Sequence, residues 1–528
     1  MIHAPEHVAP ASRLASTCLA RIMLLLSMGK IPKVGVAACS PERTRTLQTF
    51  AKKQLAGWSV DFVVYSARGS EQGLSAIPPN RRGPTQCSLS PLSKTSDTPP
   101  LLFNSHSRHL LALDPEDLTT LDSLWGGNYL DQSSAIEEHL DILVSQGFVV
   151  SQDRDERTEV LESLDALTRD NGLATLTIMT TLQCNLGCGY CFQKRESSYL
   201  SMDTARAIVD RYGPLSETHQ SMFVTWFGGE PLLNLEPIRY ISRELQKRFN
   251  TYRAEMITNG VFLTADLARE MRSLGVEKVQ ITLDGPKEFH DARRPTRGGG
   301  STYDKIRQNA IDASEIVAVH LRVNTDEELV ADPNTLAQFM ADMERDSQGR
   351  VGVYLSPVIG IGGRDNTLEH AYRSKEDYSQ KVERVFMCAR ELGYRGHLPW
   401  VTKASGCTAL NPMGHVIAPN GDQYRCWEEP GGPNEQRDGH VRSTSQTADE
   451  RKVENQYLSF KEWHSDKCRT CRFQPVCGSG CPRSTVSENR FGKESEICAH
   501  TYSWIPMVVR MNYRVARERN MLVNPMEA

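Results

Sequence analysis

The 528-residue sequence has no continuous apolar run of the roughly 18 to 20 residues that a membrane-spanning helix requires. It also has no excess of positive charge, because 61 Lys and Arg residues stand against 65 Asp and Glu residues and give a formal net charge of −4. Without a general basic field, a nucleic acid would have to be recognised by a local patch. We therefore expect neither a membrane nor a nucleic acid as a partner.

We also expect no functional secretory signal, although residues 18–28 are apolar and follow Arg13. Arg21 interrupts the apolar stretch, and Lys30 and Lys33 follow it. Such charges are atypical of the apolar core of a signal peptide. The prediction is a short buried or disordered extension on a cytoplasmic protein.

Sustained hydrophobic periodicity is missing from two parts of the chain. Residues 66–108 are rich in Ser, Pro, Gly, Arg and Gln, which predicts a loop or linker, and we expect residues 1–108 to form a poorly structured extension. After residue 400 the sequence is rich in Cys, Gly and Pro, so that bound metal is the expected source of stability. We predict a cysteine-rich, metal-stabilised domain over 401–505, for which the resemblance described below implies iron–sulfur clusters, and a tail or helix over 506–528.

Short elements are predicted over 109–170, where the pattern changes. They comprise strands at 110–113 and 148–150 and helices at 115–124, 133–146 and 154–170. Their order and size loosely resemble the winged-helix element with which many peptide-modifying enzymes bind an extended leader peptide at a sheet edge. A simple cap on the following domain fits the pattern equally well.

Strand and helix patterns alternate regularly over 171–400. The predicted strands cover residues 174–180, 222–227, 254–257, 278–283, 317–323 and 351–357. The predicted helices cover residues 202–212, 238–249, 263–274, 303–314 and 333–346. Short buried strands that alternate with helices indicate an α/β fold with a parallel sheet. Six strands fit a partial (β/α)6 TIM-like barrel.

Fourteen cysteines are present, and ten of them fall into two tight patterns. In the cytosol thiols stay reduced, so we expect ligands and not disulfides. The first pattern is Cys184, Cys188 and Cys191, directly after the first strand of the α/β region. Three thiolates on one loop can ligate three irons of a cubane cluster and leave the fourth iron open. Zinc would require a fourth protein ligand, and no nearby Cys or His supplies one.

This cysteine loop resembles that of the radical S-adenosylmethionine (SAM) superfamily, in which aromatic residues flank the third cysteine. Further motifs of that family follow in order, each at the end of a predicted strand. These are Gly228-Gly229-Glu230-Pro231, Thr258-Asn259-Gly260, Asp284-Gly285-Pro286 and, on the fifth strand, Arg322. Strand ends are where an α/β barrel places its chemistry.

The resemblance implies a 4Fe–4S cluster on the three cysteines and SAM bound to its open iron. In the family, one electron cleaves SAM to methionine and a 5′-deoxyadenosyl radical, which abstracts hydrogen from a substrate. The resemblance also implies that the Gly228–Pro231 motif, Thr258, Asn259, Asp284 and Arg322 bind SAM. No residue can be named as a catalytic acid, base or radical quencher.

The second cysteine pattern resembles the SPASM domain of many radical SAM enzymes, which holds two auxiliary 4Fe–4S clusters. It consists of Cys407, Cys426, Cys468, Cys471, Cys477, Cys481 and Cys498. The resemblance implies that Cys468, Cys471, Cys477 and Cys498 hold the distal cluster. Cys407, Cys426 and Cys481 would hold the nearer one, with a fourth ligand from Cys388, a more distant residue or a substrate sulfur. Zinc knuckles are the alternative.

Relatives with this domain act mostly on peptides and proteins, so the expected function is post-translational modification by a thioether or carbon–carbon crosslink. A flavodoxin or ferredoxin is the expected electron donor. Anaerobic sulfatase maturation also fits the domain pattern, but Trp427 occupies the position where that family carries an Asp. A small-molecule dehydrogenase and a regulatory iron–sulfur or zinc protein are likewise compatible with the sequence.

Two further features attract attention. The basic segment from Arg293 to Gly300 is expected to be a solvated loop, although closure over a substrate or cofactor is also compatible with it. Trp463 and His464, just before Cys468, are expected to pack around a cluster.

Overall fold

The computed structural model describes residues 58–59, 63–65, 101–113, 144–148, 150–151, 154–193, 196–358, 375–396, 398–399, 407–432, 435–469, 471–483, 486 and 499–518. The predictions for the amino-terminal apolar segment and for the helix at 115–124 lie outside these residues. Most of the helix predicted at 133–146 does so as well.

Two small antiparallel sheets precede the α/β region. Strand β1 (Trp58–Ser59) pairs with β5 (Val150–Ser151), and β2 (Val63–Tyr65), β3 (Leu101–Phe103) and β4 (Leu110–Ala112) form the other sheet in that order. The loop predicted over 66–108 is therefore wrong at β3. The segment is polar on average, but near its end three consecutive apolar residues form this strand, and all three are buried.

A nine-stranded sheet forms the centre of the molecule. Its strands are β6 (Leu173–Met179), β7 (Ser221–Phe227), β8 (Thr251–Thr258), β9 (Val276–Thr282), β10 (Ala318–Thr325), β11 (Val351–Pro357), β12 (Gly414–Ile417), β13 (Asp422–Tyr424) and β14 (Gly439–His440). The order is β11-β10-β9-β8-β7-β6-β12-β13-β14, and β6 to β11 are all parallel. This confirms the predicted α/β fold with a parallel sheet.

Helices connect the parallel strands and cover the sheet. The described α-helices are α1 (Glu156–Asp165), α2 (Met202–Tyr212), α3 (Leu235–Gln246), α4 (Ala265–Ser273), α5 (Lys287–Arg293), α6 (Tyr303–Ala313), α7 (Pro333–Asp346), α8 (Lys375–Glu391), α9 (Ala448–Leu458), α10 (Asp466–Arg469), α11 (Gln474–Cys477) and α12 (Ala499–Glu518). None of these described helices is long and apolar enough to cross a membrane. The core between helices and sheet contains fully buried side chains such as Trp226, Ile281 and Phe386. Because the strands are parallel, all six place their carboxyl ends at one edge of the sheet.

The cysteine-rich region continues this sheet. Strand β12 pairs in parallel with β6, from Gly414 opposite Thr175 to Ile417 opposite Ile178. Strands β13 and β14 then extend the sheet in antiparallel fashion. The segment after residue 401 is thus joined to the first parallel strand by backbone hydrogen bonds.

Two helices do not respect the domain boundaries predicted from the sequence: one packs against another domain, and the other spans a boundary. Helix α1 packs against the cysteine-rich region, where Val160 and Leu164 contact Phe460 and Trp463. Trp463 Nε1 donates to Asp165 Oδ1 at 2.8 Å. Trp463 thus contacts α1 as well as Phe460 and Leu410 of the cysteine-rich region, and the expectation that it packs around a cluster stays a prediction. Helix α12 runs uninterrupted across the boundary predicted at residue 505.

Candidate functional site

The first three cysteines lie on a loop that leaves the carboxyl end of β6. The Sγ of Cys184 accepts hydrogen bonds from the Leu186 backbone N–H at 3.4 Å and from Asn259 Nδ2 at 3.7 Å. Asn259 Nδ2 also donates to Asn185 Oδ1 at 2.7 Å. The end of β8, where Asn259 lies, therefore holds the cysteine loop in place. N–H donors directed at sulfur are the environment that a thiolate ligand requires.

The double glycine at the end of β7 is required by the close approach of the same loop. The Gly229 N–H donates to Thr181 O at 2.9 Å, and the Glu230 N–H donates to Gln183 O at 2.8 Å. A Cβ on Gly229 would lie 2.2 Å from the Gln183 oxygen, and a Cβ on Gly228 would lie 2.3 Å from the Thr181 oxygen. Gly228 also has φ of +131°. Only glycine permits this contact.

The Glu230 side chain is fully buried and bonded within the protein. Its carboxylate accepts from the Leu232 N–H at 3.0 Å, from Thr258 Oγ1 at 2.7 Å and from the Asn259 N–H at 2.8 Å. Burial raises the pKa of Glu230, and these three hydrogen bonds oppose the rise. The side chain of Glu230 therefore links the ends of β7 and β8.

Tyr190, between the second and third cysteines, anchors the loop to β9 and β10. Its hydroxyl donates to Asp284 and accepts from Arg294 Nη1 at 2.6 Å and from Asn324 Nδ2 at 3.1 Å. The other Asp284 oxygen accepts from the Asn324 N–H at 2.9 Å. Burial raises the pKa of Tyr190 well above its ordinary value, so the hydroxyl keeps its proton and can donate. The sequence showed an aromatic residue here but not this network.

Arg322 lies on β10 near the same strand ends and is half-buried. Its Nε donates to Asn324 Oδ1 at 2.8 Å. The structure therefore brings the predicted residues Cys184, Glu230, Thr258 and Asn259 together directly, and Asp284 and Arg322 join them through Tyr190 and Asn324.

The basic segment from Arg293 to Gly300 begins at the last residue of α5, and its first half is not a solvated loop. Its backbone is hydrogen-bonded to the cysteine loop. The Gly187 N–H donates to Pro295 O at 2.7 Å, and the Gly189 N–H donates to Arg293 O at 3.3 Å. The Arg297 N–H donates back to Asn185 O at 3.2 Å. Arg293 pairs with the buried Asp326 at 2.7 Å. The composition of the segment suggested exposure, but these contacts between distant parts of the chain override it.

Three cysteines of the second pattern, Cys407, Cys426 and Cys481, share a charged neighbourhood. Burial raises the pKa of Cys426 well above its ordinary value, and Glu428 adds to the rise. The Cys407 residue is exposed as a whole, but loss of hydration at its sulfur raises the pKa of the thiol, and the nearby Cys481 and Glu428 add to this rise. Arg483 Nη1 donates to Glu428 Oε2 at 3.1 Å.

Two of the remaining cysteines of this pattern, Cys468 and Cys477, lie on short helices, and Cys471 lies between those helices. Cys468 is buried in α10, and the Cys471 N–H donates to its carbonyl at 2.9 Å. Cys477 ends α11, and the next three residues, 478–480, all have positive φ. Cys498 lies outside the described residues. Cys388 packs against the main core from α8. Burial raises the pKa of its thiol, and the negative charges of Glu391 and Asp332 add to the rise.

A separate group of side chains of the metal-ligand type is paired with a buried arginine. His415, Asp438 and Glu454 place their ligand atoms within 4.8 Å of one another. The fully buried Arg425 lies 2.9 Å from Asp438 Oδ2 through Nε and 2.6 Å from Glu454 Oε1 through Nη2. Because the guanidinium already pairs with both carboxylates, we interpret this group as an ion-pair network and not as a metal site.

Comparison with known proteins identifies the class. Residues 178–333 match the family described as the radical SAM superfamily. The probable GTP 3′,8-cyclase of Methanopyrus kandleri is 30% identical over 227 residues, which are 42% of this chain and 68% of that protein. The serine-type anaerobic sulfatase-maturating enzyme of Bacteroides thetaiotaomicron is 30% identical over 141 residues, which are 24% of this chain and 32% of that protein. The chain belongs to the radical SAM superfamily, whose members use a 4Fe–4S cluster and SAM.

Solved structures agree on the fold. Histidine-tagged anSMEcpe with bound AdoMet has a TM-score of 0.51 at 18% identity and covers 67% of this chain and 97% of its own. Native anSMEcpe with bound AdoMet and the Cp18Cys peptide has a TM-score of 0.50 at 19% identity, with 66% and 99% covered. In sequence, by contrast, the match spans only about a third of the sulfatase-maturating relative.

Proposed function

We propose that this chain is a radical SAM enzyme that modifies a peptide or protein. The observation that carries the proposal is the cysteine loop after β6, which is hydrogen-bonded to the Gly228–Pro231 motif and to Asn259 at the adjoining strand ends. When bound, the reduced cluster and SAM supply a 5′-deoxyadenosyl radical that removes a hydrogen atom from the substrate. A binding protein stabilised by zinc would not require these motifs at the strand ends.

The residues of this site have separable tasks in the proposal. Cys184, Cys188 and Cys191 hold three irons, and the N–H groups of Leu186 and Asn259 stabilise the negative charge on Cys184. The backbone at Gly228 and Gly229 lines the place for the methionine part of SAM. Thr258 and Asn259 fix that backbone through Glu230, and Asp284 and Arg322 border the site from β9 and β10.

We further propose two auxiliary 4Fe–4S clusters in the cysteine-rich region. Cys407, Cys426 and Cys481 are assigned to the nearer cluster, supported by the shared influence of Glu428 on Cys407 and Cys426. Cys468, Cys471 and Cys477 are assigned, with Cys498, to the distal one. Such clusters can pass electrons between the substrate and a flavodoxin- or ferredoxin-type donor.

A peptide substrate is supported by two observations. The similar structure of anSMEcpe was solved with a peptide bound. In this chain, the antiparallel sheet of β2, β3 and β4 precedes the α/β region, and an extended peptide can add to the edge of such a sheet. The bond expected to form is a thioether or a carbon–carbon crosslink.

The substrate class is tested by measuring 5′-deoxyadenosine from the anaerobic, dithionite-reduced enzyme with and without candidate precursor peptides. A true substrate is expected to raise the yield, to lose mass in steps of two hydrogens, and to transfer deuterium from a labelled position. Stimulation by small molecules alone would contradict the peptide assignment.

Sulfatase maturation is the second candidate, favoured by the 30% identity to the sulfatase-maturating enzyme. Trp427 argues against it, because it follows Cys426 where that family carries an Asp. Its side chain is exposed and lies with its ring 6.1 Å from that of Phe227. Conversion of a serine or cysteine in a sulfatase peptide to an aldehyde would establish this candidate instead.

A further inference from the structure

Arg294 is a buried cation beside the first cysteine loop. Its residue surface is only 7% exposed, and its Nη1 donates to the Tyr190 hydroxyl at 2.6 Å. The guanidinium carbon lies 5.9 Å from the centre of the Tyr190 ring. Its Nε has no hydrogen-bond partner among the residues that the structure describes. A buried N–H of this kind needs an acceptor, which the adjoining cluster site can offer.

The position of Arg294 is fixed by a chain of buried hydrogen bonds. The Asp284 N–H donates to His290 Nδ1 at 3.0 Å, so His290 donates through Nε2 to Thr302 Oγ1, also at 3.0 Å. Thr302 Oγ1 in turn donates to the Arg294 carbonyl at 2.8 Å. The backbone of the preceding residue, Arg293, accepts from Gly189 in the cysteine loop. Arg294 therefore cannot move away from the loop without breaking these contacts.

The charges around Arg294 are mostly negative. Asp284 and Glu230 are fully buried, and both interact electrostatically with Arg294, as does Cys188. Burial opposes the charge of Arg294, but Cys188, Asp284 and the hydrogen bond to the Tyr190 hydroxyl outweigh it and raise the pKa of Arg294. The neighbouring Arg293 is already paired with Asp326. Arg294 thus brings a permanent positive charge to the cysteine loop.

We propose that Arg294 tunes the reduction potential of the cluster on Cys184, Cys188 and Cys191 by stabilising its reduced form. This inference rests on the proposed function, because it requires that cluster. Reduction adds a negative charge in a buried region, and a fixed cation nearby favours the state with more negative charge. The charge acts before SAM binds, which separates this role from direct contact with the cofactor.

The test is an EPR-monitored redox titration of the reconstituted enzyme, measured without SAM. The signal of the first cluster is identified as the component that changes when SAM is added afterwards. In Arg294→Gln, the ratio of reduced to oxidised cluster at a fixed potential is expected to fall roughly tenfold, which is about 59 mV for one electron. Arg294→Lys keeps the charge and is expected to restore most of the ratio.

Arg297→Gln is the matched control. Arg297 belongs to the same segment but is exposed, and its side chain donates to Gln183 at 2.7 Å. We expect no comparable shift in this variant. Equal potentials in the Arg294→Gln and Arg297→Gln enzymes would overturn the inference. Loss of the cluster in Arg294→Gln with retention in Arg294→Lys would also overturn it, since the charge would then serve assembly. A wild-type enzyme without a SAM-responsive signal would instead refute the proposed function.

Discussion

Gly229 is the single residue at which the site is expected to tolerate least change. An alanine Cβ would lie 2.2 Å from the Gln183 oxygen, so the β7 end and the cysteine loop would have to separate. We expect Gly229→Ala to lower the free energy of unfolding by about 2 kcal/mol or more and to reduce iron loading. Gly298→Ala is the control, because its Cβ would approach no atom closer than 4.0 Å. Equal stability and iron content in both variants would contradict this account of the motif.

His290 makes stability depend on pH. Burial lowers the pKa of His290 from 6.5 to about 3. The ring stays neutral in the core and accepts a hydrogen bond from the Asp284 N–H. The unfolded chain therefore binds a proton below pH 6.5 that the folded chain does not, and stability falls as the pH drops from 6.5 towards 3. We expect a loss of up to about 1.4 kcal/mol per pH unit from this residue. Urea unfolding at about pH 6.5 and about pH 5.5 measures the loss, and a slope unchanged in His290→Gln would contradict the assignment.

At the scale of elements, an ion pair holds α12 on α8. Arg510 Nη2 lies 2.6 Å from Glu383 Oε2, and both side chains are 11% exposed. We expect Arg510→Ala to cost about 3 kcal/mol, because among the described residues the buried carboxylate then keeps only the more distant Arg514, at 3.6 Å, as a cationic partner. Urea denaturation measures this cost.

The control for this pair is Arg345→Ala, which removes an exposed partner of Asp342 and is expected to cost less than about 1 kcal/mol. The double variant Glu383→Leu with Arg510→Met is expected to recover most of the stability, since the buried carboxylate and its guanidinium partner are removed together. If Arg510→Ala cost no more than the exposed control, the pair would not be holding the helix.

At the scale of the whole molecule, the cysteine-rich region completes the sheet. Strand β12 covers the edge of β6, whose side chains at Leu176 and Ile178 are fully buried. A chain ending at residue 406 would expose this edge to other molecules. We expect it to elute as aggregates in size-exclusion chromatography, whereas a chain ending at residue 518 keeps every described element and should remain discrete. A discrete, folded chain of 406 residues would show that the sheet does not need β12.

The fold was predictable from sequence wherever local signals determine an element. Helices α2 and α7 begin and end at the predicted residues, because Ser201 and Asp332 cap their first turns and apolar residues recur at helical spacing. The order of the strand-end motifs likewise indicated one edge of a parallel sheet.

Features that depend on contacts between distant segments were not predictable. Arg294 is buried because its segment is hydrogen-bonded to the cysteine loop. The local sequence is rich in arginine and does not indicate this burial. The packing of α1 on Trp463 joins residues almost 300 positions apart. Glu230 matched a ligand-binding motif, yet its carboxylate is bonded inside the protein, which the spacing of the motif does not reveal.

The central claim is tested most directly by reconstituting the whole protein without oxygen, counting iron and sulfide, and measuring SAM cleavage with dithionite. We predict about twelve irons per chain, four for each of three clusters, and formation of 5′-deoxyadenosine. Cys188→Ala should lose about four irons and all cleavage. Zinc in place of iron, with no cleavage in the wild-type protein, would contradict the account.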